Sequence, residues 1–339
     1  MTRKPRVLVV GSGAIGGTVA TAMAHAGTAE VHLLARNPRV ADALEARGLQ
    51  TCGVGPALTG RATVHRGPPD GAFDAILLAT PPQSVEAAAA AVIGCLTAEG
   101  LMVVLANGVC EPRIEPICGA ARVAGGIVTF GATTATPGVF ERTSTGGIVL
   151  GRLDGSVAGL DGLERALRPV GAVSITTNLL GARFSKLAVN CAVSGLGTVA
   201  GSTVGTMLTD RRARNLALAA MREAVAVSAA EGIELERLNG TVRLEWLANP
   251  QAATAGPSHW LRHAVLIAIG LRYRRLRSSM LRAIETGRTP PVDFVNGEVA
   301  RRGQRLGIPT PVNAAATRLV HEIARGATAS SLGLLRSLA

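Results

Sequence analysis

The chain has 339 residues, of which 47% are hydrophobic and 2% aromatic, and it carries a formal net charge of +12. That length suits two domains, each with a core built from Ala, Val, Leu and Ile. Five scattered cysteines with no CxxC pair exclude a disulfide framework and a structural zinc site. No apolar run reaches the roughly 18 residues that cross a bilayer, and MTRKPRVLVVGSG enters a strand pattern without a cleavable apolar region. These features lead us to expect a soluble cytoplasmic protein. The arginines are dispersed and almost no aromatics interleave with them, which argues against a nucleic-acid partner.

In chain order, RVLVV (6–10) is a compact apolar run suited to a strand buried on both faces. GSGAIGG follows, then a helix-permissive stretch to about Ala26. VHLLA (31–35) reads as a second buried strand, and 40–47 as a helix. AILLAT (75–80), LMVVLA (101–106) and VAGGIVTF (123–130) read as further strands, with a helix over 84–95 between the first two. Strand and helix in alternation indicate a doubly wound parallel sheet. Residues 138–151 look like an antiparallel hairpin added to it. From about Asn178 strand signals fade, and Ala/Leu/Arg-rich stretches at 179–193, 209–231, 259–286 and 291–306, with another after Pro311, predict an all-helical domain. The expected fold is therefore an α/β Rossmann N-terminal domain over 1–177, followed by an all-α C-terminal domain over 178–339.

GSGAIG, comprising Gly11, Ser12, Gly13, Ala14, Ile15 and Gly16, is G-x-G-x-x-G directly after a buried strand and at a helix start. That is the setting a dinucleotide-binding turn needs: Gly11 for the tight turn, Gly13 for the approach of the pyrophosphate, and Gly16 for close packing of helix on strand. At the end of the second strand, LLARN places Arg36 where an NAD binder has a carboxylate. An arginine pairs with a 2′-phosphate that a carboxylate would repel, so NADP(H) is the expected cofactor.

FSKLAVNCAVSG (184–195) carries Lys186 and Asn190 one helical turn apart in an otherwise small and apolar run. Lys186 is one of only two lysines among 35 basic residues. Lysine can yield a proton where arginine cannot, so its retention in a stretch fit for burial suggests proton chemistry. By itself the pattern fits equally a lysine extending from a core helix to solvent.

With GSGAIGG, LLARN, LANGV, FSKLAVN, RSSM and VDFVNG in this order, the chain resembles the ketopantoate reductase family over almost its full length. The resemblance implies a Rossmann domain followed by a helical domain, an active site in the cleft between them, and hydride transfer from NADPH to a 2-oxo acid. It assigns Lys186 as proton donor and Asn107, in LANGV, as a contact to nicotinamide and substrate. It assigns Asn190 and Ser279 as substrate-binding residues and Ala132 as a backbone contact to the cofactor. Ser194 stands in the substrate pocket where the family has a second asparagine.

Three further positions depart from the family pattern. Pro291 replaces a glutamate close to the catalytic lysine, and this loss of negative charge should lower the pKa of Lys186. Pro81 replaces a lysine that contacts the cofactor, and Ala283 a frequent aspartate. HWLRHAVLIAIGLRYRRLR (259–277) is read as a core or lid helix ending in solvated arginines, with an anionic membrane surface as the alternative. The same stretch makes a larger 2-oxo substrate, or a helix that packs against a second copy in a homodimer, equally open readings. His259 and His263, four apart without a carboxylate or cysteine, are expected on a helix surface, and the other histidines show no ligand-like pairing. His32 is read as a packed or edge residue, and Cys110 as lacking a histidine partner. The expected activity is NADPH-dependent reduction of a 2-oxo acid. The alternatives are a larger keto or hydroxy substrate, and a diverged NADP(H)-binding protein with weak catalysis.

Overall fold

The computed structural model describes residues 3–237, 243–249 and 256–338. The chain divides into two compact units, Met1–Leu179 and Leu180–Ala339.

In the first unit the apolar runs become strands because each is covered on both faces. The strands are β1 (Arg6–Val10), β2 (Glu30–Leu34), β3 (Leu49–Gly53), β4 (Leu58–Gly60), β5 (Thr63–His65), β6 (Phe73–Leu78), β7 (Leu96–Val104), β8 (Val123–Val128), β9 (Ala132–Thr136), β10 (Val139–Arg142), β11 (Ile148–Arg152) and β12 (Val173–Thr176). The helices of this unit are α1 (Ala14–Ala26), α2 (Pro38–Arg47), α3 (Val85–Val92), α4 (Glu111–Cys118) and α5 (Leu160–Leu167).

Eight strands form the main sheet in the order β12-β11-β8-β7-β6-β1-β2-β5. The pairs from β8 to β5 are parallel, and only the β11–β8 pair is antiparallel. Strand order reverses between β1 and β6, so the carboxyl ends of those strands form the crevice where open α/β sheets bind ligands. Val7, Leu8, Val9, Ile76, Leu77, Met102 and Val103 have no exposed surface, as strands buried on both faces require.

The hairpin expected over 138–151 does not form. β10 joins a second, four-stranded sheet, β4-β3-β10-β9, whereas β11 pairs with β8 in the main sheet. The antiparallel partner of β10 is β9. Phe140 explains the rerouting: its buried ring lies against Gly17 of α1, where an added Cβ would come within 2.1–2.3 Å of ring atoms. Short polar strands such as LTG and ATTAT carry too little pattern to be legible as a second sheet.

The second unit is helical. It contains α6 (Leu179–Asn190), α7 (Gly197–Ala200), α8 (Val204–Thr209), α9 (Arg211–Ala230), α10 (Leu244–Leu247), α11 (Pro257–Arg272), α12 (Ser279–Glu285), α13 (Asn296–Leu306), α14 (Pro311–Ala324) and α15 (Leu332–Arg336), with a π-helical turn at Cys191–Leu196. The single helix expected over 259–286 is two helices. Ser278 caps α12 by accepting from Met280 N and Leu281 N, and Arg277 pairs with Thr203 in an isolated β-bridge.

Of the core and lid readings for 259–277, the core one does not hold for α11. Trp260 and Leu271 are each 67% exposed, and Leu261 and Ile267 are exposed too, while His259, Arg262 and His263 are buried. This corrects the surface placement of both histidines. Its arginine-rich end, with Arg272, Arg274, Arg275 and Arg277, is exposed as expected. No helix among the described residues is long and apolar enough to cross a membrane.

Because Phe140 fills the space above Gly17, Gly17→Ala should overpack this contact and lower the unfolding free energy by about 1–3 kcal/mol. Urea denaturation measures the loss, and adding Phe140→Leu to the same chain should recover part of it.

Candidate active site

The GSGAIG turn sits at the carboxyl end of β1. Gly11 has a φ of +110°, and a Cβ there would lie 2.9 Å from the Ala79 carbonyl group, so only glycine fits between the ends of β1 and β6. Gly16 is likewise closed in, by Gly11 O and the Ala79 side chain. Gly13 is the opposite case, because a Cβ there would meet nothing within 4 Å. It precedes α1 as N-cap with no side-chain cap, and the first turn of α1 holds no acidic residue. The helix N-terminus therefore presents its amide groups and positive dipole end to open space, with Ser12, Ala14 and Ile15 around it only partly buried.

Thr80, just beyond β6, adds a feature that sequence reading passed over. Its backbone N lies 3.1 Å from the position a Gly11 Cβ would take, and its buried Oγ1 has no hydrogen-bond partner. An open glycine, an uncapped helix start and an orphaned hydroxyl together fit the pyrophosphate of a dinucleotide.

Arg36 follows β2 at the same end of the sheet and is exposed. Asn37 caps α2 by accepting from Arg39 N at 3.0 Å, which fixes the chain direction beyond Arg36. Asn107 lies after β7, half-buried, and its carbonyl oxygen receives a weak Cys110 Sγ contact at 3.7 Å. The sheet thus brings the glycine turn, Arg36, Thr80 and Asn107 to one edge. Ala132 is on β9 of the smaller sheet, paired with Arg142. Pro81 is exposed.

In the helical unit, α6 carries Arg183, Lys186 and Asn190. Phe184, Leu187 and Ala188 bury the helix, while Lys186 and Asn190 keep partial solvent access. Desolvation, and then the nearby positive charge of Arg183, lower the Lys186 pKa from 10.5 to about 7. Dense surroundings outweigh the residual exposure of the side chain in setting that direction. The lowering agrees with the expectation drawn from Pro291, but the identified charge is Arg183, three residues earlier and 1% exposed. Sequence reading missed it because a single arginine among 33 looked ordinary.

After Asn190 the helix widens into the π turn, a feature that often marks functional sites. Several buried groups hold it. Asn296 Nδ2 donates to Cys191 O at 3.2 Å and to Asn313 Oδ1 at 2.9 Å, and Asn313 Nδ2 donates to Glu223 Oε2 at 2.7 Å. Gly195 is obligatory here, since a Cβ would fall 1.9 Å from Asn296 Oδ1. Ser194 is half-buried, and its carbonyl oxygen accepts from Thr198 Oγ1 and Ser278 Oγ, each at 2.7 Å. Ser278 is the buried partner of this turn, whereas Ser279, its predicted neighbour, is exposed at the start of α12. Pro291 is half-buried and leads into a short 3-10 turn, Val292–Phe294.

His32 is buried but not solitary: its Nδ1 lies 2.9 Å from His65 Nε2 and its Nε2 lies 2.8 Å from Glu30 Oε1. The five cysteines are free. Among the described residues no group of three His, Cys, Asp or Glu could hold a metal ion.

Comparison with known proteins agrees with this arrangement. Residues 7–155 match the family model Ketopantoate reductase PanE/ApbA, and residues 178–324 match Ketopantoate reductase PanE/ApbA C terminal. The 2-dehydropantoate 2-reductase of Pyrococcus horikoshii is 24% identical over 312 residues, covering 91% of this chain and 94% of that protein. The 2-dehydropantoate 2-reductase of Lactococcus lactis is 22% identical over 325 residues, covering 93% and 97%.

Among solved structures, a PanE/ApbA family ketopantoate reductase from Ralstonia eutropha superposes with a TM-score of 0.78 at 24% identity, covering 95% of this chain and 99% of that one. D-mandelate dehydrogenase with NADH and anilino(oxo)acetate superposes with a TM-score of 0.79 at 22% identity and the same coverage. An N-terminal sheet of this topology followed by a helical C-terminal unit is the fold shared with these structures. The chain belongs to the ketopantoate reductase (PanE/ApbA) family.

The serine pair offers a direct check of the local geometry. Ser278→Ala removes a buried cap and two hydrogen bonds and should cost about 1–2 kcal/mol of stability. Ser279→Ala should leave the melting temperature unchanged, so calorimetry of the two variants separates structural from substrate roles.

Proposed function

We propose that the protein reduces a 2-oxo acid to the 2-hydroxy acid with NADP(H), and that Lys186 is the proton donor. The observation that carries this reading is Lys186 itself, an ammonium group packed on a buried helix beside Arg183 with its pKa brought to about 7. A group poised there can hold a proton at neutral pH and release it to a developing alkoxide. Family membership and the open, uncapped turn at Gly13 support the rest.

In this reading the turn from Gly11 to Gly16, with Thr80, holds the pyrophosphate on the start of α1. Arg36 pairs with the 2′-phosphate. Asn107, at the carboxyl end of β7, orients the nicotinamide amide, and Ala132 adds a backbone contact. The bound cofactor supplies the hydride. Lys186 polarises the ketone oxygen and then protonates it. Asn190, one turn along α6, hydrogen-bonds the substrate, and Ser194 and Ser279 complete its polar contacts.

A second reading concerns the substrate. Pro291 and Ser194 replace the family's glutamate and asparagine by smaller or apolar groups. The likeness to D-mandelate dehydrogenase, solved with anilino(oxo)acetate, favours a 2-oxo acid bulkier than ketopantoate, with an aryl or branched substituent. Turnover of a panel of 2-oxo acids with NADPH decides between them: preference for ketopantoate supports the first substrate, and preference for aryl glyoxylates the second.

Lys186→Ala should lower kcat by about 10²- to 10⁴-fold while leaving NADPH affinity intact; unchanged turnover would sink the proton-donor role. The acid form of Lys186 is lost as pH rises through about 7, so kcat/KM for reduction should fall about tenfold per pH unit above that point. The reverse oxidation, which needs the neutral amine, should rise over the same range. The protein should bind NADPH in preference to NADH, and Arg36→Asp should abolish that preference. Equal affinities in the parent protein would refute the cofactor assignment.

A further inference from the structure

The buried histidines of α11 belong to a group of side chains that the reductase chemistry does not use. From α9 come Arg214 and Arg222, and from α11 His259, Arg262 and His263. Arg214 Nε donates to His263 Nδ1 at 2.9 Å, so the proton of that neutral imidazole sits on Nε2. The rings of His259 and His263 stand edge-to-face with centroids 4.4 Å apart. Arg262 is 5% exposed; its Nε donates to Trp246 O at 3.0 Å, and its guanidinium lies 5.6 Å from the Trp246 ring centroid.

What remains is a set of donors with nothing to receive them. Arg222 Nε and Nη2, Arg262 Nη1 and His263 Nε2 are shielded from solvent and have no hydrogen-bond partner, and His259 Nδ1 is likewise unpartnered. Arg222 as a residue is half-buried, but these two nitrogens are not reached by water.

Among the described residues no carboxylate is paired with these arginines. The sequence contains no Asp or Glu between Trp246 and Ile284. Glu245, on α10, is exposed, and among the described residues no ion pair joins a carboxylate to Arg214, Arg222 or Arg262. Buried charge without a counter-charge is strongly disfavoured, and native interiors rarely leave several donors unmet. Desolvation first, and then His259 and the neighbouring arginines, lower the His263 pKa to about 4; desolvation and the arginines also lower that of His259.

We propose that Arg222, Arg262 and His263 form a binding site for an oxoanion, a carboxylate or phosphate group, within the helical unit. The Nε and Nη2 edge of a guanidinium is the fork that receives two oxygens of such a group. Arg262 Nη1 and His263 Nε2 supply the remaining donors, and Arg214 fixes the His263 tautomer. The site needs an acceptor-only ligand, since every assigned group here donates. It stands independently of the reductase reading, because none of these residues is assigned to cofactor or substrate.

The test is thermal unfolding of the full chain in chloride buffer, titrated separately with inorganic phosphate and with oxalate. The wild-type protein should show a saturable rise in melting temperature with at least one of them. The anion that saturates at the lower concentration gives the ligand class. Arg222→Met should melt at or above the wild type without oxoanion, since it removes an uncompensated buried charge. Its response should require at least about tenfold more anion, the loss expected for one charge-assisted fork. Arg222→Lys keeps the charge without the fork and should fall between the two. Equal responses in wild type and Arg222→Met, or none in either, would overturn the proposal. So would an Arg222→Met protein that melts well below the wild type in chloride alone, because the arginine would then serve packing.

Discussion

The account depends on the cost of keeping the ammonium of Lys186 out of bulk water. α6 is packed by Phe184, Leu187 and Ala188, so the lysine leaves this helix into a crowded space beside the fully enclosed Arg183. Desolvation and like charge act in the same direction, and both favour the neutral amine. Between pH 7 and 10.5 the unfolded chain holds a proton at this position that the folded chain has released. This group therefore makes the fold less stable as pH falls from 10.5 towards 7. Such a cost is ordinarily removed by substitution, yet in a chain that uses arginine at 33 of 35 basic positions the lysine remains. Proton transfer is a use that arginine could not meet.

Around this group the helical unit is organised by polar contacts more than by size. The π turn after Asn190 frees the Cys191 carbonyl, which is taken up by Asn296, and the chain of amides continues through Asn313 to Glu223. Ser278 closes the other side of the turn while capping α12. Buried amide networks of this kind favour one geometry, because a missing member leaves its neighbours unsatisfied, and here Asn296 Oδ1 is itself left without a partner. The first unit reaches a comparable rigidity by other means. There the fixed elements are the contacts of Gly11 and Gly16 with β6 and the seating of Phe140 on α1, while Gly13 is left open.

How much of this was legible in the sequence follows from how strongly each segment is patterned. RVLVV, AILLAT and LMVVLA could be read as buried strands because central parallel strands are apolar at every position. The glycine spacing and the arginine after β2 carry a chemical requirement with them and could be placed before the fold was seen. The four-stranded sheet was illegible: its strands are short and polar, and Phe140, not an alternating pattern, decides where β10 goes. α11 misled in the other direction. Its apolar residues suggested a core or lid helix with both histidines on the surface, but Trp260 and Leu271 face outwards, and the histidines and Arg262 face inwards. Periodicity locates the two faces of such a helix without saying which one is covered. The break at Ser278 was hidden because a capping serine in RSSM looks no different from a substrate-binding one.

The most direct test of the central claim uses the scarcity of lysine. A sample labelled with ¹³C at the lysine ε-carbon holds two sites, Lys4 and Lys186, and the signal missing from a Lys186→Ala sample identifies the second. The account predicts that this signal titrates with a midpoint near 7. A midpoint near the ordinary lysine value of about 10.4 would contradict the desolvated ammonium and, with it, the proton donor on which the proposed reduction rests.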